Sequence, residues 1–191
     1  MPEWLHLERT LVWVLWLGWA AYWIAAARWT SASQRTESWR TGASYRVPLV
    51  FGIILLLSSR PSRTPTGFLL WPPSVFSLAI GLCLIATGLS IAVWARLYLG
   101  KYWSGRITLK VEHRIIQTGP YAWVRHPIYS GLLLALLGTV ITIGTIRSWL
   151  GLAIIFAAVV RKLLLEEQWM CAHFGPEYEL YRRRVKALIP H

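Results

Sequence analysis

Charge is scarce in this sequence. Of its 191 residues only 15% are charged, acidic side chains number 8 against 20 Lys and Arg, and 55% are hydrophobic, with a mean hydropathy of +0.46. A chain of this size lacks the polar surface of an ordinary soluble domain and is expected to be an integral membrane protein. The net charge of +12 would suit a nucleic-acid partner if the bases formed one face. Apolar runs interrupt them repeatedly, so no nucleic acid is expected. Cysteine is also rare: Cys83, inside an apolar run, and Cys171 have no metal or redox spacing and fit packing roles. His113, His126 and His173 are far apart and no carboxylate joins them in a helical ligand pattern, which argues against a metal. Ser130 near His126 has no third orienting group for nucleophilic catalysis. Phosphate loops, dinucleotide fingerprints, repeats and low-complexity tracts are missing.

What the chain does have is long apolar runs. Residues 11–27, 74–95 and 128–146 are each long enough to span a bilayer. Residues 47–57 and 149–160 fall short of the roughly 20 residues a span needs, unless their helices run past the apolar part. The expectation is an all-α, polytopic membrane protein with about five transmembrane helices. The first run is expected to be a retained span rather than a signal peptide, because Glu3 and Glu8 accompany Arg9 before it and the run is long and aromatic. With the N-terminus outside, Arg9, Arg60, Arg63 and Arg147 lie outside and every other Lys and Arg lies in cytoplasmic segments. That bias places the C-terminus in the cytoplasm. Residues 60–73, with Pro61, Pro65, Gly67, Pro72 and Pro73, form a loop whose apolar contact with the interface is residues 68–71.

Three polar clusters, 101–112, 113–129 and 161–167, fall on the cytoplasmic side. Ionisable groups at a membrane edge are costly, so each invites a functional reading. Gly119 and Pro120 break the chain, and Pro127 fits the first turn of the span that follows, which sets Arg125 and His126 beside a helix N-terminus able to attract anions. The competing reading is interfacial anchoring, with Arg125 reaching lipid phosphate and Tyr121 and Trp123 in the aromatic belt. Lys162 and Glu166, four apart, share a helix face, and Glu167 fits a surface ion pair. That helix is expected to stop near Phe174, before Gly175 and Pro176. A short helix over residues 177–185 then puts Tyr178, Tyr181 and Val185 on one side and residues 182–184 near anionic lipid.

The stretch HRIIQTGPYAWVRHPIYSG at 113–131, LLEE at 164–167 and FGPEYELY at 174–181 together closely resemble the isoprenylcysteine carboxyl methyltransferase family. The likeness covers about residues 99–190. It implies an integral membrane enzyme that transfers a methyl group from S-adenosylmethionine. It also implies two regions, an N-terminal transmembrane part at 1–98 and a cofactor-binding half at 99–191. Cofactor contacts would fall at His113, Arg114, Ile115, Ile116, Tyr121, His126, Pro127, Ile128, Tyr129 and Glu166. Lys162 aligns with a family arginine associated with the substrate carboxylate, and Arg161 stands beside it. The implied partners are a lipophilic or prenylated acceptor and membrane lipid. A carboxylate acceptor needs positioning and desolvation more than a base, whereas an amine or hydroxyl would call on Glu166 or His126 as proton acceptor. Isoprenylcysteine, other isoprenoid acids and phospholipid amines all stay open. A nicotinamide-dependent sterol-type reductase and a non-enzymatic scaffold are the alternatives.

Overall fold

Caps and breakers set where each helix begins and ends. The computed structural model describes residues 3–29, 33–59, 61–62, 64–110 and 114–190. In chain order these form α1 (Glu3–Ala26), β1 (Ser33–Thr36), α2 (Trp39–Leu57), α3 (Val75–Leu99), β2 (Thr108–Lys110), α4 (Pro127–Ile143), α5 (Ile146–Phe174) and α6 (Pro176–Arg184). Ser38 Oγ accepts from the Thr41 N–H to start α2, and Ser74 with Ser77 forms a capping box for α3. Pro127 sits in the first turn of α4, where its missing N–H costs nothing. Gly175, at a φ of 53°, stops α5 at Phe174 as expected.

Both short apolar runs belong to longer helices. The 47–57 run extends back to Trp39, and the 149–160 run lies inside the 29 residues of α5. Trp39–Leu57, Val75–Tyr102 and Ile146–Phe174 are long and apolar enough to cross a membrane; Thr10–Ala26 and Pro127–Ile143 are shorter apolar helices. Five crossings are therefore not established by length. Two boundaries differ from expectation. The 128–146 run does not form one helix, because Gly144 takes a left-handed conformation with φ 69° and ends α4. Thr145 then caps α5 through the Ser148 N–H, so Ile146 opens the next helix. The all-α frame also carries a small antiparallel ribbon, Ser33↔Lys110 to Thr36↔Thr108, that the apolar pattern did not announce. Leu70 N–H donates to Gly144 O at 2.8 Å and Trp71 Nε1 to Ile141 O at 3.1 Å. The Pro-rich loop thus covers the α4–α5 turn, while Phe68 and Leu70 stay exposed; Arg60 and Arg63 lie outside the described residues.

The helices are paired by their glycines. α3 packs most closely on α4, and α2 on α5. At the first crossing Gly81 and Gly88 face Gly138 and Gly131, so that a Cβ added at Gly88 would lie 2.6 Å from Ala135 N. At the second, a Cβ at Gly52 would lie 2.9 Å from Gly151 O, and one at Gly151 equally close to Gly52 O. Backbones can approach this far only where side chains are missing. α1 lies against α3. Its C-terminal end is tied there by Arg96, 3% exposed, which donates to Ala26 O and Gly100 O at 2.6 Å each and lies 4.7 Å from the Trp103 ring centroid. The two tight pairs touch each other less than they touch within themselves, and the space left between them is the cavity described below.

Gly88→Leu is expected to destabilise the fold by about 1–3 kcal/mol or more through overpacking. Gly18→Leu, where a Cβ meets nothing within 4 Å, should be neutral. Thermal unfolding of both variants in detergent measures the difference.

Candidate active site

The Arg125–His126–Pro127 turn is held from three sides. Arg125 Nε donates to Glu167 Oε1 at 2.7 Å and Nη2 lies 2.5 Å from the same oxygen. Arg125 Nη1 also donates to the backbone carbonyls of Arg182 and Val185. Beyond α6 the chain returns alongside: Arg125 N–H donates to Lys186 O at 2.8 Å, His126 N–H to Ala187 O at 3.0 Å, and Ser130 Oγ to Leu188 O at 2.6 Å. Glu167 is the hub of this network. Its side chain is 6% exposed, with His126 Nε2 at 3.2 Å and Arg182 Nε at 3.3 Å as further partners. This corrects the reading of Glu167 as a surface ion pair, since a carboxylate on the inward face of α5 meets the turn before α4. It also corrects lipid anchoring for Arg125, whose guanidinium points inward. Arg182 engages Glu167 and Cys171 Sγ, and Arg184 engages Gln117 Oε1 at 2.8 Å, so these two bases have protein partners.

On the cavity side of the hub, Tyr129 and Glu166 meet. Tyr129 OH donates to Glu166 Oε1 at 2.7 Å, and His126 stacks on the Tyr129 ring with centroids 5.6 Å apart. Glu166 also lies 3.8 Å from His126 Nδ1 and from Lys162 Nζ, which confirms the shared face of Lys162 and Glu166. Lys162 donates to Gly105 O at 3.1 Å. Tyr121, on the single turn Gly119–Ala122, donates from its OH to Ala95 O at 3.3 Å, and Tyr181 OH donates to Tyr121 O at 2.6 Å. Burial pushes the Tyr121 phenol well above its ordinary value and the Tyr181 phenol up to about 12, so both are neutral donors at physiological pH.

These groups border one cavity of about 940 Å³. One lobe of it is walled by Arg114, Ile115, Ile116, Tyr121, His126, Ile128, Tyr129, Lys162 and Glu166. A second lobe continues along α4 from Leu132 to Ile143, about 16 Å at the rise of an α-helix. Trp16, Trp19 and Trp23 of α1 and Leu49, Ile53 and Leu56 of α2 wall it. α1 and α2 both line this lobe but pack chiefly on α3 and on α5 rather than on each other, which leaves a seam between them.

Most expected site residues thus converge. Pro127 is buried in the first turn of α4 rather than on the cavity wall, and Arg161 is exposed on α5, away from it. His113 lies outside the described residues. Among those described, no group of three His, Cys, Asp or Glu could hold a metal. Two participants had no signal in the sequence pattern: Glu167 as a hub, and Tyr45 of α2, 2% exposed, whose ring reaches the site from the first half of the chain.

Residues 79–173 match the family described as isoprenylcysteine carboxyl methyltransferase (ICMT). Protein-S-isoprenylcysteine O-methyltransferase of Schizosaccharomyces pombe is 34% identical over 80 residues, 41% of this chain and 34% of its own length. Protein-S-isoprenylcysteine O-methyltransferase B of Arabidopsis thaliana is 31% identical over 117 residues, 58% of this chain and 57% of its own. The cobalt-zinc-cadmium resistance protein CzcN of Cupriavidus metallidurans is 32% identical over 103 residues, 54% of this chain and 46% of its own. The chain therefore spans between about a third and somewhat over half the length of these relatives. Over residues 79–173, the chain is thus similar to the isoprenylcysteine carboxyl methyltransferase family.

Proposed function

We propose that this protein is a membrane methyltransferase that uses S-adenosylmethionine to methylate a lipophilic acceptor, the carboxylate of an isoprenylcysteine-like molecule being the best fit. The observation that carries this reading is the meeting of Tyr121, His126, Tyr129, Lys162 and Glu166, all from the family-like segment, in one cavity continuous with an apolar lobe. At about 940 Å³ that cavity stands near the top of the range for a single small-ligand site, enough for a cofactor and part of a chain-bearing acceptor together.

The donor set suits the cofactor's charges. Aromatic faces of Tyr121 and Tyr129 and the Glu166 carboxylate can stabilise a sulfonium and an ammonium. Arg114 and the first N–H groups of α4, which have no side-chain cap, can receive its carboxylate. When bound, this cofactor would supply a methyl group on a positively charged sulfur for transfer to the acceptor oxygen, with the neutral thioether as leaving group. The chain's own residues position and exclude water. The Tyr129 hydrogen bond holds Glu166 against the cavity wall, and the Glu167 network fixes the His126 turn. The apolar lobe admits an acceptor chain from the bilayer through the α1–α2 seam. A carboxylate acceptor is already a nucleophile, so the rate gain comes from alignment and desolvation rather than from a strong base. The cofactor lobe faces the cytoplasm and the acceptor arrives from the membrane, in keeping with the side on which Lys and Arg collect.

Calorimetry on detergent-solubilised protein should show S-adenosylmethionine and S-adenosylhomocysteine binding, weakened about tenfold or more by His126→Ala and by Glu166→Ala. No binding by folded wild-type protein would overturn the proposal. Glu167→Ala should cost about 3–5 kcal/mol, because it strands Arg125 and removes the carboxylate whose two oxygens serve His126 and Arg182. Its thermal unfolding temperature should fall well below that of Glu166→Ala, which removes a cavity-side carboxylate with a single close hydrogen bond.

A further inference from the structure

Lys162 has aromatic walls from the two halves of the chain. Its Nζ lies 5.5 Å from the Tyr45 ring centroid and 5.4 Å from that of Tyr129. An ammonium carries three donors. Gly105 O takes one at 3.1 Å, and Glu166 at 3.8 Å is a charge neighbour rather than a hydrogen-bond acceptor. The side chain is 14% exposed and borders the cavity, so donor capacity remains for a ligand. Other cations on the wall differ from it: Arg106 and Arg114 are exposed, and Arg125 is spent on Glu167.

The Tyr45 wall is tied to its surroundings. Its hydroxyl donates to Glu37 Oε1 at 2.6 Å, and Glu37 is in turn paired with Arg46 and has its N–H on Ile107 O. The ring packs with Ile107, Leu165 and Trp169. With its proton turned toward Glu37, Tyr45 meets Lys162 through the ring, in the geometry of a cation over an aromatic face.

We propose that Tyr45 is a specificity-determining residue: together with Tyr129 it holds the Lys162 ammonium as the anchor for the head group of a carboxylate-bearing lipophilic acceptor. This rests on the methyltransferase reading and adds to it a residue outside the matched segment 79–173. A carboxylate reaching Lys162 gains a charge-assisted hydrogen bond in a site of low exposure. The ester made from it has lost that charge and binds the anchor less well, so the same device favours release of product. The ring, not the hydroxyl, carries the effect.

Emission from the tryptophans that line the cavity reads binding of N-acetyl-S-farnesylcysteine and of its methyl ester to the full chain in detergent. Wild-type protein should bind the acid about tenfold tighter than the ester. Tyr45→Leu and Lys162→Met should bring the two affinities together, while Tyr45→Phe should keep the preference. Calorimetry with S-adenosylmethionine on the same samples should give the wild-type affinity for Tyr45→Leu. Cofactor binding with an acid preference that Tyr45→Leu leaves intact would overturn this assignment alone, as would parallel loss of cofactor binding in that variant, which would make Tyr45 structural. Wild-type protein that bound no cofactor would instead bring down the methyltransferase reading.

Discussion

Inside a bilayer, apolar side chains gain little by leaving lipid for each other, so helices must be held by close packing. Here the glycines at the two crossings meet that constraint. Gly81 and Gly88 against Gly138 and Gly131 bring α3 onto α4, and Gly52 against Gly151 brings α2 onto α5. Everything else follows from the fact that these two contacts are intimate while those between the pairs are not. Large side chains, Leu49 and Leu56 on one side and Leu132 and Leu136 on the other, occupy the boundary between pairs. They keep the pairs apart, and a cavity results where a third glycine crossing would have closed it.

The polar end of that cavity depends on a second constraint, the cost of ionised groups away from water. Glu167 is nearly buried, and it is tolerable there because Arg125, His126 and Arg182 surround it. The arrangement is weak evidence for stability but strong evidence for specificity of shape. It joins the turn before α4, the second half of α5 and the segment after α6, three pieces that hydrophobic packing alone would leave free to slide. Glu166, one residue away, turns to the cavity and keeps a single close partner in Tyr129. Two adjacent carboxylates on one helix thus have different work, because about 100° of helical rotation separates an inward direction from a cavity-facing one.

The apolar runs showed where helices lie, and Gly175 and Pro127 showed where two of them end or begin. Gly144 is the exception: it stands inside an unbroken apolar run, and hydropathy does not register a left-handed cap. The ribbon of β1 and β2 escaped for a related reason, since residues 33–36 and 108–110 are too short and polar to show a period. At the site, the RHPIY and EE segments were visible because each concentrates polar groups beside a span. The Glu167 hub was not, since its partners Arg125 and Arg182 lie on other elements and no periodicity links them. Tyr45 was hidden for the same reason, being one aromatic residue in the first half of an apolar helix.

The first half of the chain has a role that its apolar pattern alone conceals. α1 lends tryptophans to the wall of the apolar lobe, and its Trp16 Nε1 bonds Thr139 Oγ1 at 3.1 Å across to α4. α2 lends Tyr45 to the polar end. Because α1 is fastened to α3 by Arg96 while α2 is fastened to α5 by glycine contact, the two walls belong to different packed units. A chain-bearing ligand lying between them would touch both, so its binding would add contacts that the protein lacks by itself. A site built this way favours ligands long enough to bridge the units, and it places much of their contact surface in the half of the chain that the family match covers least.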